Sequence, residues 1–223
     1  MMRLIFACFL SLLTFGCTTN ISAPRYVEHI PYHVDGSEKP KIIFLPVVDS
    51  SESFVPWDIK AEFNNALRYQ AISCGDLYAV PEKEVLAYLQ TEGCIEAFDE
   101  DLSFANRFCG NDYVVALELI EHALIPFERG KIYPPIPPQT YSWRSVLQMK
   151  MRLRILDLRS GTPRILLQEI FTSNYAIPLS AECMDYNANC WGSKAFPSTP
   201  WGLAHKRLVC DLMFRIETAI QGM

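Results

Sequence analysis

The segment LQMKMRLRI, residues 147–155, alternates strictly between apolar and polar side chains. Because successive side chains of a β-strand point to opposite faces of the sheet, this period of two predicts a strand with one dry face and one wet, basic face. A turn is predicted at Ser160-Gly161, and residues 165–175 are predicted to return as the partner strand. A short turn would place Arg152 opposite Glu169 as an ordinary cross-strand ion pair. The alternative is that the basic face meets an acidic partner or an anionic glycan.

Shorter patterns on both sides of this hairpin complete the predicted fold. In chain order they are strand 41–48, helix 57–70, strand 76–80, helix 81–90, short helix 99–108, strand 112–125 and, after the hairpin, helix 200–221. Early alternation of strands and helices implies parallel pairing, and the hairpin implies antiparallel pairing. The predicted fold class is therefore α/β, in the order β-α-β-α-α-β-β-β-α. It would have a single mixed sheet of about five strands with helices packed on it.

Three polar residues near these apolar patterns are predicted to be structural. His205 lies on the apolar stripe of the last helix, which predicts a buried, satisfied histidine rather than a catalyst. His122 follows Glu121 near the end of a strand and is predicted to lie at a polar strand edge. Glu62 is predicted to point away from the apolar face of helix 57–70.

The N-terminus is typical of an exported bacterial lipoprotein. Arg3 precedes an apolar stretch at 4–15, and Gly16 precedes Cys17. This predicts a signal peptide at 1–16, a lipidated N-terminus with a flexible tether at 17–40, and a single periplasmic domain at 41–223. The alternatives are a plain secretory signal and an uncleaved anchor, but the stretch is short for a membrane-spanning helix, which needs about 20 residues.

Charge and motifs exclude several functions. A net charge of −5 does not favour nucleic-acid binding. The chain has no Cys-x-x-Cys and no His pair at ligand spacing, so neither a metal nor another cofactor is predicted. It also has no catalytic signature of the Gly-x-Ser-x-Gly or His-Glu-x-x-His kind, so we predict that it is not an enzyme.

Six cysteines follow Cys17 in the chain. They are Cys74, Cys94, Cys109, Cys183, Cys190 and Cys210. An even number in an exported chain predicts at least one disulfide, most simply a local Cys183–Cys190 bridge. The alternative is that several are buried, unpaired thiols.

A proline-rich run is the candidate docking surface. Proline-rich segments form stiff, solvated polyproline II ridges that partners can recognise. The residues of this surface are Tyr133, Pro134, Pro135, Pro137, Pro138, Tyr141 and Trp143. A rigid connector whose aromatic side chains cover the sheet is an equally good interpretation.

Four segments carry a resemblance to a known superfamily. They are KIIFLPVVD from residue 41, LYAVPEKEVLAYL at 77–89, DYVVALELI at 112–120, and 146–158 with the Gly161 turn. This pattern resembles the envelope superfamily of curli-assembly lipoproteins, lipoprotein activators of penicillin-binding proteins and the TolB N-terminal domain. The resemblance spans roughly residues 41–175 and implies a shared scaffold more than a shared function.

Together, signal and resemblance predict a lipid-anchored periplasmic protein on the outer membrane, carrying palmitate or a similar acyl chain on Cys17. It would act as a binding, adaptor or regulatory module for another envelope protein or a peptidoglycan-associated component. The alternatives are an envelope hydrolase or thiol enzyme, and an oligomeric secretion or assembly component of the outer membrane.

Overall fold

The computed structural model describes residues 30–53, 55–90, 96–126, 143–178 and 184–222. Its strands are β1 (Lys41–Phe44), β2 (Val48–Asp49), β3 (Tyr78–Ala79), β4 (Tyr113–Pro126), β5 (Trp143–Asp157) and β6 (Arg164–Pro178). Its helices are α1 (Ile59–Cys74), α2 (Glu82–Gln90) and α3 (Pro200–Gln221), with 3-10 helices at Ser103–Phe108 and Phe196–Ser198. None of the helices in these ranges is long and apolar enough to cross a membrane.

The described strands form one mixed sheet in the order β3-β1-β4-β5-β6, with β2 beside β4. β1 pairs in parallel with β3 and β4, and the pairs β4–β5 and β5–β6 are antiparallel. The predicted mixed α/β class is confirmed. The short third helix of the prediction is a 3-10 helix.

The predicted first strand is split in two by Pro46. β1 ends at Phe44, and the chain resumes pairing with β4 at Val48. Proline has no N–H to give to a ladder, and the Val47 N–H instead donates to Asn64 Oδ1 on α1 at 3.0 Å. Among the described residues the sheet therefore has six strands, where about five were predicted.

The central hairpin matches its sequence pattern, but its register differs from the prediction. Apolar side chains of β5 from Leu147 to Ile155 are fully buried on one face. A bulge in β6 shifts the pairing by one residue, so Arg152 lies opposite Ile170 rather than Glu169. Arg152 instead pairs across β4 with Glu118 at 3.1 Å. Arg152 is thus paired within the sheet, although with a different strand from the one predicted.

Helices cover both faces of the parallel part of the sheet. α1 and α3 bury one face around Phe63, Leu117 and Leu212. α2 and the first 3-10 helix cover the other face around Val85 and Phe108. The α1–α3 side contains the candidate site.

Candidate functional site

A β-bulge aims His122 toward the helices. β4 and β5 pair residue by residue up to Leu119 opposite Met151, but pairing resumes with Glu121 opposite Lys150 and omits Ile120. One extra residue reverses which face each following side chain occupies. His122 therefore joins the α1–α3 face, where its side chain is buried. The prediction that His122 lies at a polar strand edge is therefore wrong.

His205 reaches the same point from α3. The helix starts at Pro200, where Thr199 Oγ1 accepts a hydrogen bond from Gly202 N–H at 3.0 Å. Gly202 lets this start pack closely, because a Cβ there would lie 2.0 Å from the Phe196 carbonyl oxygen. One turn later, His205 is buried and hydrogen-bonded, which confirms the predicted satisfied histidine.

Glu62 comes from the first turn of α1 and is buried, so the prediction that it points away from the core is wrong. Its carboxylate accepts from Trp57 Nε1–H at 2.7 Å and from His205 Nδ1–H at 2.7 Å. A buried histidine needs a polar partner. The position of His205 on an apolar stripe thus indicates that a polar partner from elsewhere in the chain is also buried, without identifying it.

Four side chains from four parts of the chain form one hydrogen-bonded series, which we call the histidine network: Ser53, His122, His205 and Glu62. His122 Nε2 lies 2.9 Å from His205 Nε2, and His122 Nδ1 lies 2.7 Å from Ser53 Oγ. A carboxylate only accepts, and a neutral imidazole that donates at one nitrogen accepts at the other. With both imidazoles neutral, His205 Nε2 accepts from the His122 Nε2–H, and His122 Nδ1 accepts from the Ser53 hydroxyl.

The electrostatics of the network keep His122 neutral. Burial, followed by the neighbouring His205 ring, lowers the pKa of His122 to about 3. At neutral pH its Nδ1 lone pair thus remains available to Ser53.

An open pocket of about 610 Å³ lies at the Ser53 end of the network. We call it the aromatic pocket. Its side chains include Val55, Trp57, His122, Leu124, Tyr186 and Trp201, with Ser53 among the few polar groups. Trp201 is central, since its ring centroid lies 5.2 Å from that of His122 and 5.3 Å from that of Tyr186.

A smaller pocket of about 240 Å³ lies at the other end of the network and is lined by Glu62, His205 and Trp191 among others. The described residues contain no group of three or more His, Cys, Asp or Glu side chains placed to hold a metal ion.

The structure does not bring the predicted site residues together. Cys74, Cys109, Cys190 and Cys210 are free thiols, so no disulfide is supported among the described cysteines. Partial burial, followed by Glu217, raises the pKa of the Cys74 thiol to about 11, which makes it a poor nucleophile at neutral pH. Trp143 begins β5. The remaining predicted positions lie outside the described residues: Cys17, Cys94, Cys183, Tyr133, Pro134, Pro135, Pro137, Pro138 and Tyr141.

The chain belongs to a family of unknown function, DUF7499, whose model matches residues 28–222. No curated protein sequence matches it.

Among solved structures, the hypothetical protein CT253 from Chlamydia trachomatis is similar at 22% identity and a TM-score of 0.60. The match covers 83% of this chain and 99% of that one, and it supports the fold alone.

Lipoprotein GNA1162 from Neisseria meningitidis matches at 13% identity and a TM-score of 0.39, over 82% of this chain and 99% of that one. Protein XCC0632 from Xanthomonas campestris matches at 9% identity and a TM-score of 0.42, over 82% of this chain and 86% of that one. TM-scores this low carry no inference about this chain, and the superfamily inferred from the sequence stays a prediction.

Proposed function

We propose that the protein is a lipid-anchored lipoprotein of the cell envelope that binds an apolar group of another envelope component in the aromatic pocket. The observation that carries the proposal is the pocket itself, about 610 Å³ with Trp57, Trp201 and Tyr186 in its wall. Ligand pockets are typically concave and mostly apolar, with a few placed polar groups.

The pocket wall has the properties of a binding surface. Tryptophan and tyrosine present large apolar areas with little side-chain freedom to lose, so they dominate binding energies. At the rim, the Leu124 side chain is 44% exposed, which leaves an apolar group available for contact. Ser53 supplies a polar group that can orient a ligand.

The N-terminal sequence supports the anchor. Gly16-Cys17 after an apolar stretch fits acylation of the cysteine, and residues 17–40 would then act as a tether. We place the protein on the outer membrane, facing the periplasm, with a protein or a peptidoglycan-associated component as its partner.

Site-specific photocrosslinking tests the binding proposal. A benzophenone amino acid at Leu124 should capture an envelope component in cells, whereas the same probe at Leu203, which is 54% exposed on α3, should not. Trp201→Ala should abolish capture from position 124, because it removes the central ring of the pocket. Trp191→Ala, in the smaller pocket, serves as the matched control. Equal capture from both positions, or capture unaffected by Trp201→Ala, would contradict the proposal.

Metabolic labelling with a palmitate analogue tests the anchor. The wild-type protein should incorporate the label and Cys17→Ser should not. Incorporation that is unchanged by Cys17→Ser would remove the lipid assignment.

A further inference from the structure

We infer that Ser53 is the nucleophile of an acyl-transfer site that cleaves carboxylic esters whose apolar part occupies the aromatic pocket. Sequence motifs predict no enzyme, since the participating residues are scattered over 152 positions between Ser53 and His205. Catalytic arrangements of this kind are recognised by geometry and roles rather than by sequence order. The inference goes beyond the binding proposal but uses the same pocket.

The arrangement of the network has the parts that serine nucleophiles require. The nucleophile and its base are within hydrogen-bond reach at 2.7 Å, and the base is oriented by a further group at 2.9 Å. Glu62 closes the series in a buried position, where Trp57 fixes its second oxygen. Each hydrogen-bond donor of the network points toward the Glu62 carboxylate. The Nδ1 lone pair of His122 therefore faces Ser53.

The position of Ser53 also fits this role. It lies in the wall of the aromatic pocket, at the end of the network that carries the hydroxyl, whereas Glu62 at the other end lines the smaller pocket. The preceding residue, Glu52, has a φ of 52°, the only positive value among the described non-glycine residues. Strained backbone of this kind is concentrated at functional sites.

The proposed reaction conserves protons and electrons. Ser53 Oγ attacks the ester carbonyl carbon, and its proton moves to His122 Nδ1 while the His122 Nε2 proton passes to His205 Nε2. The positive charge then lies on His205 beside the Glu62 carboxylate, rather than on His122 in its apolar surroundings. Return of the protons along the same series protonates the leaving alcohol. Water then hydrolyses the acyl-serine by the same steps and releases the acid.

An alkyl fluorophosphonate tests the nucleophile without requiring a known substrate. Full-length wild-type protein should be modified at Ser53, as located by peptide mass spectrometry. Ser53→Ala should lower the labelling rate at least about 100-fold, and His122→Gln should lower it by a similar factor, as expected for loss of a general base. Ser50→Ala, which changes an exposed serine hydrogen-bonded to Glu118, should have no effect. A wild-type rate equal to that of Ser53→Ala would overturn the inference.

A second pair of variants guards against loss of structure in the first. Ser53→Cys should react with iodoacetamide at least about 10-fold faster than Ser50→Cys, because only the first thiol adjoins an imidazole acceptor. Equal rates would contradict the inference.

The experiments distinguish a failure of the acyl-transfer inference from a failure of the binding proposal. Capture from position 124 that depends on Trp201, without labelling of Ser53, would leave the binding proposal standing and overturn the acyl-transfer site.

Discussion

Two buried polar clusters lie on opposite faces of the same sheet. One is surrounded by protein groups, and the other opens into a pocket. On the face away from α1 and α3, Arg154 is 4% exposed and donates to the backbone oxygens of Ala97, Phe98 and Asp99 and to Gln168. On the other face, the histidine network ends at the aromatic pocket. The Arg154 cluster is closed by protein groups on the described residues that surround it, whereas the histidine network presents its last hydroxyl to a cavity. A closed cluster holds segments together, and an open one can act on a ligand.

The largest expected effect comes from breaking the closed cluster. Arg154→Met keeps the length of the side chain but leaves three carbonyl oxygens without donors at 2.6 to 3.0 Å. The Ala97 oxygen is buried, and those of Phe98 and Asp99 are partly buried. An unpaired buried acceptor costs on the order of 1 to 3 kcal/mol and a partly buried one less, so we expect a total loss of about 3 to 5 kcal/mol. Urea unfolding measures it. A loss below about 1 kcal/mol would mean that the segment 97–99 does not depend on Arg154.

The histidine network should make stability depend on pH between about 6.5 and 4.5. The pKa of His122 is about 3 in the folded protein, below its ordinary value of 6.5. In this pH window His122 is protonated in the unfolded chain but not in the folded one. The free energy of unfolding therefore falls as the pH falls. At about 1.4 kcal/mol per unit, lowering the pH from 6.5 to 4.5 should cost about 2 to 3 kcal/mol.

Urea unfolding at both pH values checks this expectation, with His122→Gln as the comparison. The variant should lose less stability over the same interval than the wild type. An identical pH dependence in both proteins would show that His122 is not the titrating group.

The parts of the fold that the sequence could predict are those that follow from local patterns. The alternation at 147–155 predicted β5 and its dry face, because a period of two is local information. The apolar stripe of α3 likewise predicted a buried His205.

The site itself could not be read from local patterns. His122 turns inward only because Ile120 bulges, and Arg152 misses Glu169 only because β6 bulges. Bulges are set by how strands fit together over the whole sheet. Glu62 is polar in a helical pattern, and only its contact with a histidine 143 positions away explains its burial.

A smaller effect is expected from removing the charge of Glu62. Trp57 and His205 bond different oxygens of Glu62, and in Glu62→Gln an NH2 donor replaces one of these oxygens, so one of the two buried N–H groups loses its acceptor. We expect a loss of roughly 1 to 2 kcal/mol in unfolding free energy. The exposed Glu100→Gln is the matched control, with an expected change below about 0.5 kcal/mol. Equal effects of the two substitutions would argue that the network contributes nothing to stability.

The smallest expected effect sharpens the contrast within a single strand. Arg152 occupies the same face of β5 as Arg154, two residues earlier, but its side chain is 38% exposed and its ion pair with Glu118 is open to solvent. Exposed ion pairs contribute about 0 to 1 kcal/mol, since water and salt screen them. Arg152→Met should therefore lower the unfolding free energy by less than about 1 kcal/mol, and its effect should shrink further in 1 M salt. If Arg152→Met lowered the unfolding free energy as much as Arg154→Met, the loss would come from removing any arginine on this face. The hydrogen bonds around Arg154 would then not explain the effect of Arg154→Met.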